Sequence, residues 1–183
     1  MRRRVQYLAV ALALLAVLAG CAGGSGSDPT ATDVPEPTET AGGTTAPDTP
    51  VSTPGSDYET TTVDVVDGNG TRLATVEVWV ADSFVKRYTG LSDTSALEPG
   101  QGMLFVHDSE ARHGYVMRDM AFPLDMVFVA ANGTITAIHH APVESDGDLT
   151  EYSGRAKYVL EVPMGYTNRT GIEEGDRVRV GDV

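Results

Sequence analysis

Cysteine is almost missing: Cys21 is the only one in 183 residues, so no internal disulfide can form. Lysine is nearly as scarce, with Lys86 and Lys157 alone. Thirteen basic side chains face 26 acidic ones, giving a formal charge of −13. Removing Arg2, Arg3 and Arg4 with an N-terminal leader lowers that by three, to −16. A surface so acidic repels polyanions, and no basic patch interrupts it, which argues against nucleic acid as a partner. An Asp-rich, Lys-poor surface is best tolerated where salt screens its self-repulsion, so the composition predicts adaptation to high salt. Nucleophile-elbow, Walker and dinucleotide-binding patterns are all missing, and with them any expectation of a cofactor. Ser109 and Ser153-Gly154 lack recognisable triad spacing, and no internal repeat is evident.

What is present begins with a positive stretch, Arg2 to Arg4, and an apolar run from Tyr7 to Leu18. That run is about a dozen residues, short of the ~20 a spanning helix needs. Leu18-Ala19-Gly20-Cys21 resembles the lipobox of prokaryotic lipoproteins. Residues 1–20 are therefore expected to be cleaved and Cys21 lipidated, because only a thiol nucleophile forms the thioether. Two acyl chains on one lipid anchor stably where one is marginal. The triple arginine invites twin-arginine export, but Gln6 interrupts the expected apolar pair, so the export route stays open. From Ala22 to Asp57 the chain is mostly Gly, Ser, Thr, Pro, Asp and Glu, with almost no bulky apolar residue and not one basic residue. Such a segment cannot bury enough surface to offset its ordering entropy, and reads as a disordered stalk with a reach of roughly 30–36 Å. Its Thr and Ser residues suit O-linked sugars and an unmodified spacer equally. The expected location is the extracytoplasmic face of the cell membrane, with the membrane itself as partner through Cys21.

Residues 58–183 change to short β-patterned runs between turn signals. Thr60–Val66 and Thr71–Ala81 flank Asp67-Gly68-Asn69-Gly70 as a hairpin, with Ala74, Val76, Val78 and Val80 on one face. Asp82 is placed to cap a short helix through Tyr88, ended at Gly90. Further strands are predicted at Gly102–His107, His113–Met120 and Leu124–Ala130. The Asn132-Gly133 turn then leads to Thr134–Val143, and a polar loop over Glu144–Gly154 precedes Lys157–Val162 and Asp176–Val180. Many strands and one or two short helices define a mainly β domain, a β-sandwich or small β-barrel.

The densest chemistry runs from His107 through His113 and Met117-Arg118-Asp119-Met120 to Asp125. His139 and His140 are adjacent in a strand, point to opposite faces and cannot chelate one ion together. His107 and His113 flank a loop, but no HxxxH or HxH pair makes a metal site specific. Copper held by His113, Met117 and Met120 is chemically suited to thioethers, yet methionine in a β-core is more often packing. No metal is therefore assigned. Asp125 and Glu161 sit inside apolar strands, where a carboxylate is either structural or a general acid or base. Arg118 is a potential partner for either. Asn69, Asn132 and Asn168 head N-glycosylation sequons, two of them in Asn-Gly turns that need no sugar to explain them.

Five ordered motifs bring a family into view: Tyr88-Thr89-Gly90-Leu91, Gly102–Val106, Gly114–Met120, Pro123–Phe128 and Tyr158–Gly165. Together they resemble the signatures of domain-of-unknown-function family 192, over about Val76 to Val180. The resemblance implies a compact, mainly β fold, often with a signal peptide or lipoprotein anchor, and no established activity, substrate or cofactor. At Tyr115-Val116-Met117 the chain departs from the family pattern, in which an aromatic immediately precedes the methionine. In a strand that offset moves the aromatic to the other face and away from a pocket wall. The family's Leu-Asp and Leu-Glu pairs map onto Leu124-Asp125 and Leu160-Glu161.

His113, Met117, Arg118, Asp125 and Glu161 are accordingly the candidate pocket. The preferred reading is a non-catalytic binding or accessory module of the cell envelope, meeting a small ligand or another envelope protein. One alternative is an envelope hydrolase or carbohydrate-modifying enzyme using Asp125 and Glu161, whose carboxyls must then lie roughly 5–9.5 Å apart across a cleft. Another is a metal-handling lipoprotein.

Overall fold

The β-branched run after Tyr58 forms the predicted hairpin: β1 (Glu59–Val66) pairs antiparallel with β2 (Arg72–Ala81). Asp67 closes its turn, one carboxylate oxygen accepting the N–H groups of Asn69 and Thr71 at 2.8 Å each. The computed structural model describes residues 54–55, 57–145 and 147–181; Cys21, the leader and most of the stalk lie outside them. Helix α1 (Phe84–Thr89) is capped by Ser83, which accepts from the Lys86 N–H at 3.3 Å, one residue beyond the predicted Asp82. It ends at Gly90, whose φ of 53° suits the missing side chain. The chain returns so that β3 (Gln101–Tyr115) runs parallel to β2. Asn132-Gly133 joins β4 (Leu124–Val129) to β5 (Ile135–Ala141), and β6 (Tyr152–Pro163), α2 (Tyr166–Thr170) and β7 (Arg177–Val180) follow.

The strands form one sheet in the order β5-β4-β6-β3-β2-β1-β7. Its ends are drawn together by a bridge between Thr134 and Arg177 and by backbone bonds from Ile135 to Asp176 and from Val178 to Gly133, both 2.8 Å. The domain is thus mainly β with two short helices. Of the two predicted architectures the barrel is the one approached, as a single curled half-barrel. Every strand and α2 contribute to an enclosed core that includes Val63, Val78, Leu104, Val127, Ile135, Leu160, Tyr166 and Val178. A second cluster on the other face holds Trp79, Leu91, Met103, Phe105, Met117, Leu124, Met126 and Phe128. Two covered faces explain why β4 is buried at all six positions, where a half-exposed strand would alternate.

Several strand boundaries differ from expectation. His107 and His113 do not flank a loop but belong to one strand, in which His107–Glu110 stand opposite the single residue Lys157. This wide bulge interrupts the register without ending the strand. The predicted strand to Met120 stops instead at Tyr115, because the chain turns at Arg118-Asp119 with Asp119 at φ 55°. The polar loop is correspondingly shorter, since β6 begins at Tyr152, and α2 has no counterpart among the predicted elements.

Gly102 is where β3 meets β6 most closely: a Cβ there would lie 2.5 Å from the Glu161 carbonyl oxygen and 3.1 Å from Val162. Gly102→Ala is expected to cost roughly 1–3 kcal/mol by overpacking, measured as a lower denaturation midpoint with unchanged slope.

Candidate functional site

The two carboxylates singled out from sequence occupy neighbouring rungs of one strand pair. Asp125 pairs with Val162 and Met126 with Glu161, so alternation sends the two carboxyls to opposite faces of the sheet. They cannot flank a common cleft, which removes the geometric basis of the paired-carboxylate enzyme reading.

Asp125 is fully buried and saturated with donors. It accepts from His140 Nδ1 at 2.6 Å, the Gly165 N–H at 3.0 Å, and the Thr167 N–H and hydroxyl at 2.9 and 2.7 Å. Burial disfavours its charge, but these bonds together outweigh burial and hold the carboxyl below the ordinary aspartate value. Its work is structural: it fastens the turn after β6 and the start of α2 to β4.

Glu161 has the reverse environment. It is 4% exposed, has no hydrogen-bond partner among the described residues, and is pushed up to about 8 by desolvation. It lines an open cavity of about 360 Å³ between α1, β3 and the segment after Tyr115. His107 and His113 stack there with ring centroids 3.5 Å apart and planes 10° from parallel. The bulge makes this contact, folding His107 back along its own strand. His107 Nε2 lies 2.9 Å from the Tyr115 hydroxyl, whereas the buried His113 Nε2 has no partner. Burial, then the neighbouring His113 and Arg87, lower His107 to about 4, against the pull of Asp108. Burial raises Tyr115 far above the usual phenol value; the Glu161 charge adds to this and Arg87 opposes it.

Two arginines, Arg87 and Arg118, line the same cavity. Arg87 donates from Nη1 to the carbonyls of Asp82 and Val106, both at 2.8 Å. Arg118 donates to the Tyr88 carbonyl at 2.8 Å and lies 4.2 Å over the Tyr88 ring. The rim is apolar: Phe84, Tyr88 and Val116 line it and are 75%, 62% and 41% exposed, with Val85 beside them.

Of the five candidate residues, the fold brings His113, Arg118 and Glu161 together. Met117 is instead buried in the outer core, and Asp125 lies on the other face. Tyr115 corrects a further expectation. It does wall the cavity, with edge contacts to Phe105 and Phe128, because the strand ends there and Val116 is left on the rim. Arg87 and the α1 aromatics were missed; the visible signal was Phe84 and Tyr88 spaced four apart on a helix whose inward face holds no buried residue. His139 bonds the Ser153 carbonyl while His140 bonds Asp125, in keeping with opposite faces. Among the described residues no three His, Cys, Asp or Glu side chains converge as a metal-binding group. Asn69, Asn132 and Asn168 are all exposed, and Asn132 caps its own turn by accepting the Thr134 N–H at 3.0 Å.

A single curled sheet with a cavity against its outer face defines a compact class of mainly β domains. The chain belongs to domain-of-unknown-function family 192, described as an uncharacterised ACR, whose model matches residues 65–180. A UPF0127 protein of Pyrococcus furiosus is 30% identical over 108 residues, 56% of this chain and 85% of that one. Two solved structures are similar. One is a candidate transcription regulator from Sinorhizobium meliloti 1021, 29% identical with a TM-score of 0.60, covering 67% of this chain and 94% of that one. The other is a protein of unknown function from Novosphingobium aromaticivorans DSM 12444, 26% identical with a TM-score of 0.62, covering 70% and 90%.

Two stability predictions follow from the carboxyls. Asp125→Ala leaves buried Thr167, half-buried Gly165 and the more exposed His140 without their acceptor and is expected to cost about 3 kcal/mol, read from urea denaturation at pH 7. Glu161 binds its proton more tightly folded than unfolded. Its contribution is therefore full below about pH 4.5 and lost as pH rises towards about 8. His107 acts in the opposite sense between about 4 and 6.5, so the Glu161 effect stands clear of it above pH 6.5. Stability of the parent chain is expected to fall between pH 6.5 and 8, and that of Glu161→Gln to stay level; parallel curves would contradict the assignment.

Proposed function

We propose that this chain is a membrane-tethered binding module of the cell envelope, anchored through Cys21, that takes a small ligand into the cavity beside α1. The observation that carries the reading is the unmet polar demand at that cavity. The Nε2 of His113 is buried without a partner, and Glu161, 4% exposed and without a hydrogen-bond partner among the described residues, lines the same opening, which exposed Phe84, Tyr88 and Val116 rim. Buried groups left unpaired cost stability unless a ligand satisfies them, and exposed apolar side chains gathered at one opening mark binding surfaces. The reading is non-catalytic because the two carboxylates that suggested chemistry are separated by the sheet. The anchor rests on the lipobox and stalk in the sequence, and the acidic composition continues to argue against a nucleic-acid partner.

Two measurements test this. Full-length chain is expected in the membrane fraction, with Cys21→Ser released to the soluble fraction; unchanged partitioning would remove the anchor. The neutral fluorophore N-phenyl-1-naphthylamine is expected to bind saturably at one site per chain, and Val116→Trp, which fills the mouth, to abolish it. Absence of a saturable site, or indifference to Val116→Trp, would overturn the pocket as a binding site.

A further inference from the structure

The charges around the cavity say more about what enters it. Arg87 and Arg118 both line the opening, and among the described residues Glu161 is the only carboxyl-bearing one that does. Both guanidiniums are held by backbone carbonyls, so their directions are set before any ligand arrives. Arg87 has no ion pair among the described residues, and Arg118 pairs with Asp119 at 3.6 Å, a surface contact that solvent screens. A guanidinium has five N–H donors; the backbone bonds engage Nη1 of Arg87 and Nη2 of Arg118, and the ion pair engages Nε of Arg118. The two arginines are set in a chain of net charge −13, whose overall field disfavours an anion.

Building on the binding reading above, we infer that the cavity selects a small organic carboxylate with an apolar body, its carboxylate meeting Arg118 and Arg87 and its body lying along Phe84, Tyr88 and Val116. Planar forked donors match a carboxylate bidentately, which a point charge does not. The apolar rim supplies the area that an inorganic anion could not use, and 360 Å³ limits the guest to the small end of ligand size. A cationic guest would have to approach two fixed guanidiniums before reaching Glu161.

Glu161 makes the preference depend on pH. The groups facing it are Tyr115, His107 and His113 from β3, Arg87 from α1 and Arg118 from the turn after β3. Desolvation keeps Glu161 protonated at pH 7, where its hydroxyl donates to an acceptor on the guest and adds no repulsion. Its ionisation above about 8 places a negative charge in the same cavity. Tyr115 stays neutral there, so Glu161 governs the change.

Calorimetric titration of the full-length chain with phenylacetate, phenylacetamide and phenethylamine tests the inference. At pH 7 phenylacetate is expected to bind at least tenfold more tightly than the other two. Arg118→Gln should lose at least tenfold for phenylacetate while phenylacetamide changes little. Phenylacetate affinity should fall at least tenfold from pH 7 to 9.5, and Glu161→Gln should flatten that dependence. Preference for phenethylamine, or equal affinity for all three, would overturn the carboxylate assignment. If phenylacetate does not bind but N-phenyl-1-naphthylamine does, the ligand class is wrong and the pocket stands; if neither binds, both readings fall.

Discussion

Asp125 is the point on which the arrangement turns. Burying a carboxylate completely is tolerable only when its charge is met by several directed donors, and here they come from three places: β5, the turn after β6 and the first residues of α2. The Thr167 N–H is available because the leading N–H groups of a helix have no carbonyl partner within it. The carboxylate thus holds the end of β6 against β4. With β6 so fixed, Glu161, one residue along and facing the other way, is fixed too. One rung apart, two acids receive opposite treatment: one is surrounded by donors and ionised, the other faces a cavity and keeps its proton.

Much of the scaffold was legible in the sequence because it is written in local rules. Asp67 and the Asn-Gly pair at 132–133 mark hairpin turns, and the alternation of Val76 and Val78 places them in the enclosed core. What local rules could not supply was the consequence of covering a sheet on both faces. Trp79, Met103 and Phe105 lie out of phase with the enclosed core, and are buried by segments distant in sequence, including Leu91 and Met117. Periodicity alone reads such strands as featureless apolar runs.

The site was legible only in part for a related reason. Leu160-Glu161 and Leu124-Asp125 look equivalent as motifs, and strand alternation separates them only once the β4–β6 register is known. His107 and His113 are six apart, a spacing with no meaning in a regular strand, and meet only through the bulge. Arg87 gives no sign of a role until Val106 is seen to offer its carbonyl to the guanidinium. These are tertiary facts, set by pairings between segments far apart in the chain.

The bulge in β3 also separates two things that most β-proteins keep coupled. Register is re-established on both sides of His107–Glu110, with Val106 opposite Tyr158 and Ala111 opposite Ala156. The length of the excursion is therefore free to vary without shifting the inward and outward faces of the strand beyond it. One cavity wall can thus be remodelled by insertion or deletion within four residues while the sheet keeps its pairing.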